Sequence, residues 1–183
     1  MQFEVEQKFE VPDHLAVRRL LSEMDTRWNQ EVIQIDRYFA HPARDFGKTD
    51  EALRIRSVGE QNYVTYKGPK VDATTKTRRE IELPLSDGQD AQAEFAELLA
   101  ALGFRPALVV EKKRQPGELH WENHTVLIAL DSVVNLGTFV ELEVTCDERS
   151  VDNAKRAVGS LAEELALTQS QRLSYLELLL DKQ

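Results

Sequence analysis

Apolar and polar residues alternate along many short segments of this chain. Over residues 3–9, Phe3, Val5 and Phe9 take one phase and Glu4, Glu6 and Lys8 the other. That period of two marks a strand with one buried face. Residues 52–58, 63–66 and 77–83 repeat the alternation, and 31–39 is rich in β-branched and aromatic residues. Strands are also predicted over 107–114, 125–130 and 138–145. Elsewhere the helical period takes over. Asp13 is a candidate N-cap after Pro12, with Leu15, Leu20, Leu21 and Met24 on one stripe. A second helix over 90–102 carries Phe95, Leu98, Leu99 and Leu102 and stops at Gly103. Residues 152–167 and 175–180 complete the set.

The order is strand, helix, three strands; then strand, helix, three strands; then helices. It predicts two halves of similar plan, over about 1–70 and 74–145, without evident identity between them. Eight mostly antiparallel strands of this kind can close into a barrel with helices outside, an α+β arrangement. No low-complexity linker divides the halves, so one domain over 1–183 is expected. Residues 41–50, with Pro42 and Gly47, and 68–72, with Gly68 and Pro69, read as loops.

Composition narrows the function. At 183 residues, 42% hydrophobic and 30% charged, the chain has the makeup of an ordinary globular protein. No apolar run approaches the length of a membrane span, and Met1-Gln2-Phe3-Glu4 is unlike a signal peptide, so a cytoplasmic protein without a membrane partner is expected. A lone cysteine, Cys146, forms no internal disulfide and suits a reducing compartment. The net charge of −9, from 23 Lys+Arg against 32 Asp+Glu, argues against a nucleic-acid partner.

The charge is concentrated on one strand phase. Arg54 and Arg56 oppose Leu53 and Ile55; Lys67 opposes Tyr66; Lys76, Arg78, Glu80 and Glu82 oppose Ile81 and Leu83. Lys112 and Arg114 share a face, and Glu141 and Glu143 alternate with Val140, Leu142 and Val144. For any single strand, a solvated outer face explains this pattern. Over six strands the near absence of neutral polar residues changes the picture. A closed sheet would turn these faces inward around a tunnel lined by cations and carboxylates. Guanidinium and ammonium groups suit a polyanion, and a divalent metal reconciles that anion with the carboxylates. The residues therefore predict a metal-dependent triphosphate site.

The run Glu4-x-Glu6-x-Lys8 resembles the signature of the CYTH superfamily, which includes class IV adenylate cyclases, thiamine triphosphatases and inorganic triphosphatases. Similar motifs follow at Ala52-Leu53-Arg54-Ile55-Arg56, Tyr66-Lys67-Gly68-Pro69, Arg78-x-Glu80-x-Glu82, Glu111-Lys112-Lys113-Arg114, Asp131 and Phe139-Val140-Glu141-Leu142-Glu143. The resemblance implies a triphosphate tunnel: eight antiparallel strands in a closed or nearly closed barrel with flanking helices. It implies that Lys8, Arg54, Arg56, Lys67, Arg78, Lys112 and Arg114 bind the triphosphate. Glu4, Glu6, Asp131, Glu141 and Glu143 would hold Mg²⁺ or Mn²⁺, with Glu80 and Glu82 orienting the cations or assisting a second metal. Among these, Glu4, Glu6, Lys8 and Arg56 are the candidate catalytic residues.

The segments His41-Pro42-x-Arg44-Asp45-Phe46, Lys67-Gly68-Pro69 and Ser174-Tyr175 resemble the class IV cyclase branch. The expected reaction is ATP to cyclic AMP and pyrophosphate in a monomer or homodimer. Hydrolysis of thiamine triphosphate or tripolyphosphate is the alternative, and a non-catalytic triphosphate-binding module a third. His41, His120 and His124 lack the pair spacing of a zinc site, and His14 is expected exposed. Cys146, Trp28 and Trp121 read as packing residues, and a Walker-type phosphate loop is absent.

Overall fold

A computed structural model describes residues 2–69 and 78–182. The expectations for Thr77 as a strand start, for Lys76 on the charged face and for a loop over 70–72 lie outside the described residues. Strands β1 (Gln2–Val11), β3 (Val32–Ala40), β4 (Ala52–Val58), β5 (Gln61–Lys67), β6 (Glu80–Leu85), β7 (Arg105–Trp121), β8 (His124–Val133) and β9 (Gly137–Asp147) form one antiparallel sheet. Its order is β1-β9-β8-β7-β3-β4-β5-β6, and a two-residue strand β2 (Arg27–Trp28) pairs with β7. The two ends of the sheet approach where Glu4 of β1 makes an isolated antiparallel bridge to Arg78, two residues before β6. The sheet is thus curled almost shut, joined there among the described residues by a bridge and not by a full ladder.

The two-part plan of the sequence is visible in this order. Meander β3-β4-β5 ends on β6, meander β7-β8-β9 ends on β1, and β3 pairs with β7 where the halves join. Each half therefore adds to its meander the strand that begins the other half's stretch of sequence. Past Arg114 the β3 side of β7 ends and only β2 covers it, so the 17-residue β7 runs on through Pro116 and Gly117. A strand end predicted at Arg114 is corrected here: proline is tolerated where one flank is nearly unpaired.

Helices cover the outer, apolar phase. Helix α4 (Val151–Glu164) presents Ala154, Val158 and Leu161 to Val5, Val140, Leu142 and Val144, with α1 (Leu15–Ser22) adding Val17 and Leu21. Helix α3 (Gln89–Ala101) packs Leu99 and Phe95 against Ile55 and Leu53 of β4. Its stop is the predicted one: Gly103 has φ +90, and its N–H and that of Phe104 donate to Ala100 and Leu99 carbonyls. The start of α1 differs from expectation. His14 holds the N-cap position, and Asp13 accepts from Leu15 N–H at 2.7 Å. A short helix α2 (Phe46–Thr49) forms inside the predicted 41–50 loop, capped by Asp45. Helix α5 (Tyr175–Leu180) starts with a capping box between Ser174 and Glu177. Among the described residues no helix is long and apolar enough to cross a membrane.

Trp28 lies flat over β7, and Gly117 is what lets it. A Cβ there would sit 2.7 Å from Trp28 Cε3 and 3.2 Å from the Arg27 carbonyl. Gly159 in α4, by contrast, has open space around its missing Cβ. Gly117→Ala should lower stability by about 1–3 kcal/mol through overpacking. Gly159→Ala should raise it by about 0.5–1 kcal/mol through helix propensity. Opposite shifts in urea midpoint for the two variants check this; equal signs refute it.

Candidate active site

Because strand neighbours two apart share a face, each charged triplet of the sequence delivers its side chains to one place. The curl encloses a cavity of about 880 Å³. It is lined by Glu4, Glu6 and Lys8 of β1, Arg54 and Arg56 of β4, Lys67 of β5, Arg78, Glu80 and Glu82 at β6, Lys112 and Arg114 of β7, and Glu141 and Glu143 of β9. Every candidate residue from the sequence except Asp131 faces this space. Asp131 of β8 is fully buried behind the wall. Its Oδ1 accepts from Arg114 Nε at 2.7 Å, and its Oδ2 accepts from Tyr175 Oη at 2.9 Å, with Lys112 Nζ 3.6 Å away.

Asp36 escaped the sequence reading, and it does for β4 what Asp131 does for β7. It sits directly across the ladder from Arg56, as Asp131 sits across from Arg114. Its two oxygens accept from Arg56 Nε and Nη2 at 2.7 and 2.8 Å, and Oδ2 also takes Arg54 Nη1 at 3.3 Å. The clue was a lone acid at the inner phase of a β-branched, aromatic strand, between Gln34 and Tyr38. Burial alone would push Asp36 up, but Arg54 and Arg56 outweigh it and hold its carboxyl far below the usual range.

The remaining charges interlock on the cavity face. Lys67 bridges Glu80 and reaches Glu4 at 3.7 Å, Arg54 Nη2 lies 3.8 Å from Glu80, and Arg114 pairs with Glu141. Lys8 Nζ donates to the Leu173 carbonyl and lies 4.0 Å from the Tyr175 ring centre. Burial, aided by Arg114 and Arg56, lowers Lys112 to about 8 despite Asp131 and Glu141. Burial raises Glu4 against the pull of Lys67, whereas Glu80 is held low because Lys67, Glu4 and Arg54 outweigh its burial. Burial thus favours the protonated form of Glu4 beside an ionised Glu80.

Glu6 and Glu143 face each other directly across β1 and β9. Like charges in that position are unfavourable. Burial and then Glu6 raise Glu143 to about 7. Among the described residues no three acids, histidines or cysteines converge tightly enough to ligate an ion by themselves. The donor set nonetheless fits Mg²⁺ or Mn²⁺, which take oxygen ligands and are commonly held by one or two carboxylates, water and substrate phosphates. A cation there would relieve the crowding that lifts Glu143.

Apolar and aromatic side chains also line the cavity, His41, Phe46 and Tyr175 among them from the segments His41-Pro42-x-Arg44-Asp45-Phe46 and Ser174-Tyr175. Phe39, Phe46, Leu53, Leu176 and Leu180 line it together with Tyr175 and His41. His41 packs on Phe46 and Phe104, and its Nδ1 accepts from the Ala43 and Arg44 amides, so its ring is a loop organiser. His14 is only half-exposed and meets the Phe139 carbonyl at 3.0 Å through Nε2. Cys146 lies within β9, and Trp121, at the end of β7, donates to Ser160 Oγ at 2.8 Å. Both pack against the α4 core.

Comparison with known proteins agrees with this geometry. A protein of Methanocaldococcus jannaschii, named "Putative adenylate cyclase MJ0240", is 33% identical over 178 residues, covering 96% of this chain and 97% of that one. The structure of PH1819 from Pyrococcus horikoshii superposes with a TM-score of 0.85 at 38% identity, covering 98% of this chain and 99% of its own. HpAC1 from Hippeastrum, an adenylyl cyclase homologue described as having a dominant triphosphatase activity, shares the fold at 18% identity with a TM-score of 0.69, over 100% and 97% of the two chains. The CYTH domain model matches residues 2–173. On the family match over nearly the whole chain and the 33% identical relative, the protein belongs to the CYTH domain family.

Proposed function

We propose that the protein is a metal-dependent enzyme acting on triphosphates, and that it converts ATP to cyclic AMP and pyrophosphate. The observation that carries this is the convergence of cations from five strand regions and carboxylates from three on one cavity. A polyanion flanked by basic side chains has its charge neutralised from several sides at once, which is what phosphoryl chemistry requires. The cyclase name of the M. jannaschii relative points to ATP. So does the apolar, aromatic part of the lining, which inorganic tripolyphosphate would leave unused.

In this reading Arg54, Arg56, Lys112 and Arg114 bind phosphate oxygens from two walls, with Lys8, Lys67 and Arg78 closing round them. Glu4, Glu6, Glu141 and Glu143 are the proposed holders of Mg²⁺ or Mn²⁺. The ion supplies Lewis-acid stabilisation of the phosphoryl oxygens and a lowered hydroxyl pKa. The ribose 3′-hydroxyl gives up its proton to solvent water as its oxygen bonds to the α-phosphorus. The bond to the α–β bridging oxygen breaks with its electron pair leaving on pyrophosphate, and the basic side chains neutralise the charge growing there. Asp131, with its oxygens taken by Arg114 and Tyr175, steadies the cations of β7 in this scheme. Hydrolysis of the same substrates is the second reading, because HpAC1 shows that this fold accommodates a dominant triphosphatase.

Product analysis separates the two. Incubation with ATP, thiamine triphosphate and tripolyphosphate, each with Mg²⁺ and Mn²⁺, should yield cyclic AMP and pyrophosphate from ATP. Orthophosphate as the main product would select the hydrolase. Tight binding without turnover would reject both readings in favour of a binding module.

The crowded carboxylates add a pH test. The folded Glu143 is raised from the ordinary 4.5 to about 7. It therefore favours the folded state while protonated, and that advantage is lost as pH rises through its folded value. Metal-free wild type should lose melting temperature between about pH 5 and 8 and recover it on adding Mg²⁺. Glu143→Gln should flatten that fall while cutting turnover roughly 10–100-fold or more at fixed Mg²⁺. Full activity in Glu143→Gln would remove Glu143 from the metal site.

A further inference from the structure

We propose that Asp36 is a positioning residue of the polyanion site: it never touches the ligand, and it sets the pose in which Arg54 and Arg56 meet it. The proposal rests on the anion-binding reading of these two arginines. Asp36 is 1% exposed and stands behind the cavity lining. Its carboxylate takes Arg56 side-on, through Nε and Nη2. That edge of the guanidinium is thereby occupied, and Nη1 is left for a ligand. The same carboxylate oxygen that takes Arg56 Nη2 also takes Arg54 Nη1. One buried anion thus locks two long side chains whose free rotation would otherwise have to be frozen when ligand binds.

Coulomb's law by itself argues against an acid at this place. A carboxylate close to a triphosphate repels it, and the strands already turn six glutamates onto the cavity face. What the carboxylate contributes is direction, since a fork held on one edge can present only the other. The chain uses the device twice. Asp131 grips Arg114 through Nε and Nη2, lies directly opposite it across the β7–β8 ladder, and stands outside the cavity lining as well. In both cases the acid is one strand over from its arginine.

The sign of one substitution separates direction from charge. Asp36→Asn keeps size and removes the anion. If charge ruled, tripolyphosphate would bind more tightly; on the positioning account its Kd, measured by calorimetry with Mg²⁺, rises about tenfold or more. Adding Asp36→Asn to Arg56→Ala should then raise Kd by a clearly smaller factor than Asp36→Asn does alone, since one of the two side chains it directs is gone. Asp36→Glu keeps the charge but moves it by one methylene. It covers the case in which Asp36→Asn fails to fold, and its Kd should rise severalfold while the protein stays folded, as its cooperative melt shows. Unchanged or tighter binding by Asp36→Asn, additive effects of Asp36→Asn and Arg56→Ala, or wild-type affinity in Asp36→Glu would each overturn the proposal. Wild type that binds no tripolyphosphate would overturn the anion-binding reading along with it, whereas a binding wild type with indifferent Asp36 variants sinks this proposal alone.

Discussion

A sheet that turns its charged face inward must settle every charge without bulk water, and the rest of this structure follows from that demand. Lys8 and Lys112 are 1% and 3% exposed, and Arg54 and Arg78 are each 7% exposed. An isolated cation so placed costs several kcal/mol, and only close, well-oriented anions repay it. Two kinds of anion answer. Asp36 and Asp131 lie behind the wall and grip arginines side-on, while Glu80 and Glu141 meet Lys67 and Arg114 on the cavity face itself. Tyr175 adds a third kind of partner, its ring lying 4.0 Å from Lys8 Nζ and 4.9 Å from Lys112 Nζ. Outside, the apolar phase is left to ordinary helix packing, which asks nothing special of α3 and α4.

This division of labour explains what could be seen in the sequence. Strand phase was legible because both faces are extreme: Val5 and Leu142 are fully buried against helices, while Glu4 and Glu141 point to the cavity. The two-part plan and the glycine stop at Gly103 were legible for equally local reasons. The length of β7 was not, because Pro116 and Gly117 look like punctuation until the missing β3 flank and Trp28 are seen in space. Nor was the bond between Asp36 and Arg56, twenty residues apart along the chain, since only the β3–β4 register brings them together. Asp131 was singled out for the right neighbourhood, yet its depth behind the wall depends on three partners from β7 and α5. The apolar part of the cavity has only a scattered linear signature, through Phe46, Leu53 and Tyr175 in their separate motifs. Its residues come from β3, β4, α2 and α5 and share nothing but hydrophobicity.

The pairing of β1 with β9 has a consequence for the life of the chain on the ribosome. Gln2 lies opposite Asp147 and Val11 opposite Thr138, so β1, the strand carrying Glu4, Glu6 and Lys8, finds its ladder only after the chain has been made as far as Asp147. Even then Lys8 lacks its bond to Leu173, and the Lys8 carbonyl lacks the Gln171 amide. Contacts of such sequence separation form late, because the loop entropy must be met before they reward it. A nascent or truncated chain can therefore hold helices and the β3-β4-β5 meander but no enclosed charged chamber. The charged chamber can close only once the segment around Gln171 and Leu173 has been made.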